Sequence, residues 1–433
     1  MTGRLQDYLQ KFRRGSSAPG PFRRFRPRII LARNLRRLWW HGKVVAITGS
    51  SGKTTATAIA GALLKDAMRT EIHIFRGAMG AISRSLIGFR PWRTDVLVVE
   101  SGIYSRGDMR IMGQMLRPDI AIVTVVGLEH VASFRTREEV AREKSELVAA
   151  LRPSGTAILN GDDPHVRGMA ERCRGKVIYF GRCEDATLRL HAIAYRWPEG
   201  LSMDLSWQGE PFTATCRMVG THWVPSILGP LAAALMLGVD RPHCLEALAE
   251  FEAPFNRMSI HPTPAGRTFI LDAYKGAHWQ IGTTVAFLDG VIAPRKTVVF
   301  GALSDGWGGN RSRYYDAARA GLEHADRVIF AGPDAVHIRR ILTRPEGAKV
   351  EVIPSIAQAI ERVANDVVPG EVIYVKSTTH TKLERLMYAD FMKVRCVIGK
   401  CDLPFSCGRC AALSDQMQGP IPISGRVSGP RRE

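Results

Sequence analysis

Read by hydropathy, the chain alternates short, wholly apolar runs with stretches of helical spacing. Val44-Val45-Ala46-Ile47 is the first run; it ends in the turn Gly49-Ser50-Ser51-Gly52, and residues 56–64 follow with an Ala-rich helical pattern. Val96-Leu97-Val98-Val99, residues 120–126 and Ala157-Ile158-Leu159 repeat the apolar run, which predicts buried strands of a parallel sheet. Ser202-Met203-Asp204-Leu205-Ser206 and Phe212-Thr213-Ala214-Thr215 alternate instead, and predict edge strands of the same domain. Residues 296–301, 327–332 and 372–376 are three more apolar runs with helical patterns between them, so a second doubly wound sheet is expected. The expected fold class is α/β: a central domain built on a phosphate-loop-type doubly wound sheet, then a C-terminal Rossmann-like α/β domain. The expected division is a basic amphipathic segment over 1–42, the central domain over 43–255, the C-terminal domain over 256–393, a cysteine-rich knuckle over 394–412 and a disordered tail over 413–433. No internal repeat is visible.

The strongest chemical signal lies at the first turn. Strand, glycine turn, Lys53-Thr54-Thr55 and helix in that order make a cradle for an anion: backbone N–H groups of the turn and helix N-terminus face it, and Lys53 adds a full charge. Gly49, Ser50, Ser51, Gly52, Lys53, Thr54 and Thr55 are the candidate nucleotide contacts, with the Thr54 hydroxyl placed to ligate Mg²⁺. The pattern is shorter than a full Walker A, since Ile47 stands where that motif has its first Gly. Glu100 closes the second apolar run, and parallel strands deliver functional groups at their C-terminal ends. A solvated Glu after a core strand is the plainer alternative.

The turn Thr48-Gly49-Ser50-Ser51-Gly52-Lys53-Thr54-Thr55 resembles the loop of the Mur ligase family, the ATP-dependent amide ligases of bacterial wall peptide synthesis. Other segments resemble that family in the same order. Gly127-Leu128-Glu129-His130-Val131-Ala132-Ser133-Phe134 is similar to its His-bearing segment after a strand, and Asn160-Gly161-Asp162-Asp163 to its turn after the central sheet. Gly220-Thr221-His222-Trp223 is similar to Gly-x-His-Asn, with Trp223 in place of the Asn that reaches the base. Asn256-Arg257 resembles the Gly-Arg linker, Asp272-Ala273-Tyr274-Lys275 the segment after it, and Val375-Lys376-Ser377 the Val-Lys-Gly-Ser that handles the amine. The likeness covers residues 43 to about 393, with its closest look to the MurF-like enzymes.

The resemblance implies ATP and Mg²⁺, and an acyl phosphate made from a carboxylate and attacked by an amine. It implies Lys53, Glu100, His130 and Lys144 as catalytic residues, with Mg²⁺ on Thr54, Glu100, His130 and Lys144. Lys144 falls where the family carries a lysine carbamate. Arg257, Asp272 and Lys275 are implied as further nucleotide contacts. The partners are then a small-molecule acid and an amine, an amino acid or peptide. The family's UDP-gripping N-terminal domain is not legible in the first 42 residues, so a non-standard acid is expected. A motor-type phosphate-loop NTPase and a weakened Mur-like scaffold are the rival classes.

Composition changes this picture at the two ends. Net charge is +19, and residues 1–43 hold twelve Lys/Arg against Asp7 alone. Arg23, Arg24, Arg26, Arg28, Arg33, Arg36 and Arg37 alternate with apolar and Trp residues. Docking on the body comes first, an anionic membrane surface or protein partner second, and nucleic acid last. There is no run of about twenty apolar residues and no apolar stretch of a signal peptide, so a cytoplasmic location is expected, with peripheral contact at the inner membrane. Cys396, Cys401, Cys407 and Cys410 have the spacing C-x4-C-x5-C-x2-C, which suits a structural Zn²⁺ knuckle. An Fe–S cluster and four free thiols are the alternatives.

Overall fold

The structure is a computed structural model describing residues 22–38, 40, 42–74, 79–88, 91–306 and 309–415. The expected basic stretch before residue 22 and the tail beyond 415 lie outside the described residues. The first apolar run is β1 (Lys43–Thr48), third from one edge of a nine-stranded sheet. With β2 (Thr70–His73), β3 (Val96–Glu100), β4 (Ile120–Val123), β5 (Thr156–Asn160), β6 (Lys176–Gly181), β7 (Leu188–Arg196), β8 (Gly200–Trp207) and β9 (Glu210–Cys216), the order is β2-β3-β1-β4-β5-β6-β7-β8-β9. Pairing is parallel from β2 through β7 and antiparallel from β7 to β9. The strands with wholly apolar centres, β1, β3, β4 and β5, lie between helical layers, while the alternating β8 and β9 form the outer ribbon with one wet face.

The third run ends as a strand at Val123, three residues short of its apolar limit. Its continuation is used for the phosphate loop: Ser50 N donates to Val125 O at 2.8 Å, and Thr124 Oγ1 donates to Ser51 O at 2.6 Å. Asn160 Nδ2 donates to Thr124 O at 2.8 Å, and the Asp162 carboxylate accepts from the N–H groups of Arg182 and Cys183, so these two side chains fix the loops after β4 and β6.

The second sheet has six strands: β10 (Ser259–Pro262), β11 (Thr268–Asp272), β12 (Lys296–Phe300), β13 (Arg327–Ala331), β14 (Val350–Ile353) and β15 (Val372–Lys376), in the order β10-β11-β15-β12-β13-β14. All pairs are parallel except β10 with β11. The two sheets meet at a tight seam. A side chain at Gly127 would start 2.3 Å from the Trp279 ring, so only a glycine lets that indole lie on the first sheet's loop.

The described part of the basic N-terminal segment is a helix, α1 (Phe22–Leu38), docked on the body. Ala32 is fully buried, and Arg36 donates to Leu116 O, Trp40 O and the Asp119 carboxylate at 3.1, 2.7 and 2.9 Å. Asp119 also accepts from Val44 N at 2.9 Å, which ties α1 to the start of β1.

The zinc expectation needs correction. Among the described residues no three His, Cys, Asp or Glu side chains come together as a metal-ligating group, and Cys396, Cys401, Cys407 and Cys410 are separate free thiols. The segment is organised by a cation already present. The guanidinium of Arg385, 1% exposed, donates to the carbonyls of Thr381, Lys382, Cys396 and Ile398. Its Nη1 also lies 3.5 Å from Cys396 Sγ. Cys407 is buried in the apolar cluster with Tyr388 and Leu413, and burial raises its thiol well above the usual range. A buried neutral thiol packs as a small hydrophobe.

Candidate active site

The phosphate loop is built from backbone. Helix α2 (Lys53–Leu64) starts at Gly52, whose φ of 76° and 2.0 Å clearance from Ser226 Oγ exclude any side chain. Helix α2 packs on α6 (Val224–Met236), which carries Ser226, while α3 (Met79–Ile87) packs on α1 and α4 (Asp108–Leu116) on α5 (Arg137–Ala149). Ser50 Oγ donates to Gly127 O at 2.9 Å, so the loop is held from the chain after β4. Lys53 Nζ folds back on Gly49 O at 2.6 Å. Thr55 is buried and points into the fold.

Beside the loop, Thr54 Oγ1 donates to Glu100 Oε1 at 2.8 Å. Arg257 Nη2 donates to the same hydroxyl at 3.0 Å, and its guanidinium lies 3.9 Å from the centroid of Tyr274. The three expected residues therefore converge from β3, α2 and the linker to the second sheet. Two hard oxygens at the end of a phosphate loop suit Mg²⁺, which completes its shell with water and phosphate oxygens.

A cleft opens there between the sheets. The first sheet's domain contributes Ser50, Ser51, Gly52, Lys53, Thr54, Glu100, His222 and Trp223; the second contributes Arg257, Asp272, Lys275, Gln280, Thr284 and Lys376. Asp272 is engaged by the Lys376 ammonium and accepts from Tyr374 Oη at 3.0 Å. Trp223 packs in the core at the cleft wall, and burial depresses His222 to about 4, so its ring stays neutral.

His130 and Lys144 do not line this cleft. Both meet Glu129, a 1% exposed carboxylate that the motif reading passed over. Lys144 Nζ on α5 is 2.6 Å from Glu129 Oε1 and donates to Gly49 O at 2.9 Å. Lys275 Nζ donates to Glu129 Oε2 at 3.0 Å and lies 3.3 Å from Asp305 Oδ2. His130 Nε2 is 3.7 Å and Lys53 Nζ 4.0 Å from Glu129 Oε2. His130 sits at φ 52°, and its N–H donates to Asp305 Oδ1 at 3.1 Å across the seam. Helix α5 is capped by Thr136 Oγ1 accepting from Glu139 N, while the Glu139 carboxylate reaches Arg135 N, one residue before the reciprocal position of a capping box.

The electrostatics follow from this crowding. Burial alone would raise the Glu129 pKa; Lys144, Lys53 and Lys275 outweigh it and hold the carboxyl well below its usual range. Burial lowers Lys53 to about 8, against the pull of Glu129 and with the repulsion of Lys144 and Lys275. Burial also lowers Lys144, opposed by Glu129, and lowers His130. Glu129 and Asp305 are the two carboxylates of this cluster that the sequence motifs do not single out. The only sequence signal for Glu129 is a carboxylate just before a His at a strand's end, and Asp305 is brought in by tertiary contact alone.

Two family models match the chain: the Mur ligase middle domain over residues 47–234, and the Mur ligase glutamate ligase domain over residues 256–379. The chain belongs to the Mur ligase family. Among its relatives within the Mur ligases, a UDP-N-acetylmuramoyl-tripeptide–D-alanyl-D-alanine ligase of Bacillus subtilis is 23% identical over 352 residues, 80% of this chain and 75% of that one. The ligase of that name from Mycobacterium tuberculosis is 29% identical over 53% of this chain and 46% of its own length. A UDP-N-acetylmuramate–L-alanine ligase of Streptomyces griseus is 24% identical over 59% and 54%. The chain thus spans about half the length of the latter two. In fold this Mur ligase is similar to MurF from Acinetobacter baumannii (TM-score 0.74, 22% identity, 83% of this chain and 79% of that one). It is also similar to Thermotoga maritima MurF in complex with ADP (0.71, 22%, 84% and 82%).

Proposed function

We propose that this chain is an ATP-dependent ligase that joins a carboxylic acid to an amine through an acyl phosphate. The supporting observation is the two-sided cleft, where a phosphate loop on one sheet faces Arg257, Asp272, Lys275 and Lys376 on the other. A substrate carboxylate oxygen attacks the terminal phosphorus of ATP and ADP leaves. The amine nitrogen then attacks the acyl carbon, inorganic phosphate departs, and the amine loses a proton. Lys53 and the loop N–H groups hold the phosphates, and Arg257 reaches them from the other sheet. Thr54 and Glu100 would hold Mg²⁺, which offsets phosphate charge when bound. The seam excludes water from the acyl phosphate.

The substrates to test first are those in the relatives' names: a UDP-muramoyl peptide with D-alanyl-D-alanine, then UDP-N-acetylmuramate with L-alanine. Phosphate release should require acid and amine together, and a Lys53→Ala variant should abolish it. Release from ATP alone at the full rate would favour a motor-type NTPase and defeat the proposal.

Among the described residues no helix is long and apolar enough to cross a membrane. Helix α1 nevertheless turns Arg28, Ile30, Leu31, Arg37 and Leu38 outward, and no carboxylate lies on it. That face suits peripheral contact with an anionic lipid surface. Co-sedimentation with anionic but not neutral vesicles, lost on reversing Arg28 and Arg37 to Glu, tests this.

A further inference from the structure

Five of the fifteen large apolar side chains exposed among the described residues fall between positions 391 and 405: Phe391, Val397, Ile398, Leu403 and Phe405, each 38–56% exposed. Single apolar side chains on a surface are ordinary, but a cluster of them marks a contact. The segment lies past residue 379, where the match to the family's C-terminal domain ends, so the shared reaction does not account for it.

The backbone explains why these side chains face outward. Arg385 draws the carbonyls of Cys396 and Ile398 inward at 2.9 and 2.8 Å. Lys382, three residues earlier and also buried, does the same to Leu403 O at 2.9 Å and Phe405 O at 2.7 Å. Met392 and Val394 pack on the apolar cluster of the second domain, while Phe391, Lys393 and Arg395 alternate with them on the wet side. Two buried cations thus hold the main chain of two adjoining turns, and the apolar side chains stand at the tips. The charge around them is positive. Arg395 is paired with Asp415, and Asp402 lies beside the His380 ring. Lys393, Lys400 and Arg409 are exposed and, among the described residues, enter no ion pair.

We propose that residues 391–409 form a lipid-contact surface, separate from helix α1, whose ligand is an anionic phospholipid layer. The apolar tips enter the boundary between headgroups and acyl chains, while Lys393, Lys400 and Arg409 meet the headgroup phosphates. Shape and charge favour this occupant. Side chains that protrude from turns need a matching hollow on a protein, whereas a fluid interface takes them as they are. A second copy meeting the first through the same patch would set like charges against each other.

The full chain should co-sediment with vesicles of phosphatidylglycerol and phosphatidylcholine, not with phosphatidylcholine alone, and added salt should weaken the binding. Ile398→Ser with Phe405→Ser should lower the partition coefficient about tenfold or more, with the far-UV circular dichroism unchanged. Lys393→Glu with Lys400→Glu should lower it about tenfold or more as well. A Phe405→Trp chain should gain emission that moves to the blue on anionic vesicles and is quenched by brominated lipid, a reading that does not depend on a loss. Either double variant binding like the parent would overturn the proposal, as would equal binding to neutral vesicles or an unquenched Trp. A parent chain that binds neither kind of vesicle would overturn it too and leave the patch to a protein. Binding that survives Arg28→Glu with Arg37→Glu but is lost in the segment variants would refute the contact at α1 and support this one; the reverse pattern would refute this one alone. The ligase reading is decided separately, by phosphate release.

Discussion

Replacing Arg257 by Ala removes the guanidinium that joins the second sheet to the phosphate loop. Its Nη2 donates to Thr54 Oγ1 at 3.0 Å, and its plane covers Tyr274 at 3.9 Å. A hydrogen bond from a charged donor contributes about 1.5–3 kcal/mol net. The cation–π contact adds about 0.5–1 kcal/mol at a part-exposed ring, but it joins two residues on the same side of the seam and does not hold the sheets together. The link across the seam therefore weakens by about 1.5–3 kcal/mol, which at about 1.4 kcal/mol per decade is roughly a ten- to hundredfold change. The same side chain lines the cleft, so the loss should appear in ADP affinity by titration calorimetry, with the far-UV circular dichroism unchanged. Arg257→Lys keeps the charge without the planar stack and should recover only part. An Arg257→Ala chain that binds ADP as tightly as the parent would refute this placement of the guanidinium.

Three further outcomes follow from the charges and thiols. Lys53, lowered to about 8 chiefly by burial, loses its proton as pH rises, so kcat/KM for ATP should fall above about pH 8; Lys53→Arg should move that limb to higher pH, and a flat profile to pH 10 would contradict it. His222 and His261 are each held near 4 by burial, below the unfolded value near 6.5, so the unfolded chain binds more protons between those limits. Stability should decline as pH falls from 6.5 to 4, by on the order of 3 kcal/mol for each ring, and His261→Gln should flatten part of that slope in urea midpoints. Purified chain should contain no stoichiometric zinc, and a strong chelator should leave its melting temperature unchanged; one tightly held zinc per chain by elemental analysis would reverse the correction made at the cysteines.

Much of the fold was legible because its central strands are apolar on both faces. β1, β3, β4, β5, β12, β13 and β15 all announce themselves as uninterrupted runs. Short half-exposed strands such as β2 and β14 do not, since Thr70-Glu71-Ile72-His73 and Val350-Glu351-Val352-Ile353 carry charges and take their strand identity from neighbours already in place. The phosphate loop, Thr54 and Glu100 were readable because local order along the chain fixes them. Glu129 and Asp305 were not, because their meaning comes from Lys275 and His130, partners far away in sequence. The cysteine spacing misled for a related reason: spacing cannot reveal that Arg385 already fills the segment's centre with positive charge.

The indole of Trp279 resting on bare Gly127 backbone sets how far the halves can approach. That stop is uncharged, and the Lys275 ion pairs beside it end on largely buried carboxylates that salt screens only weakly. Raising ionic strength should therefore leave the contact between the two halves largely as it is.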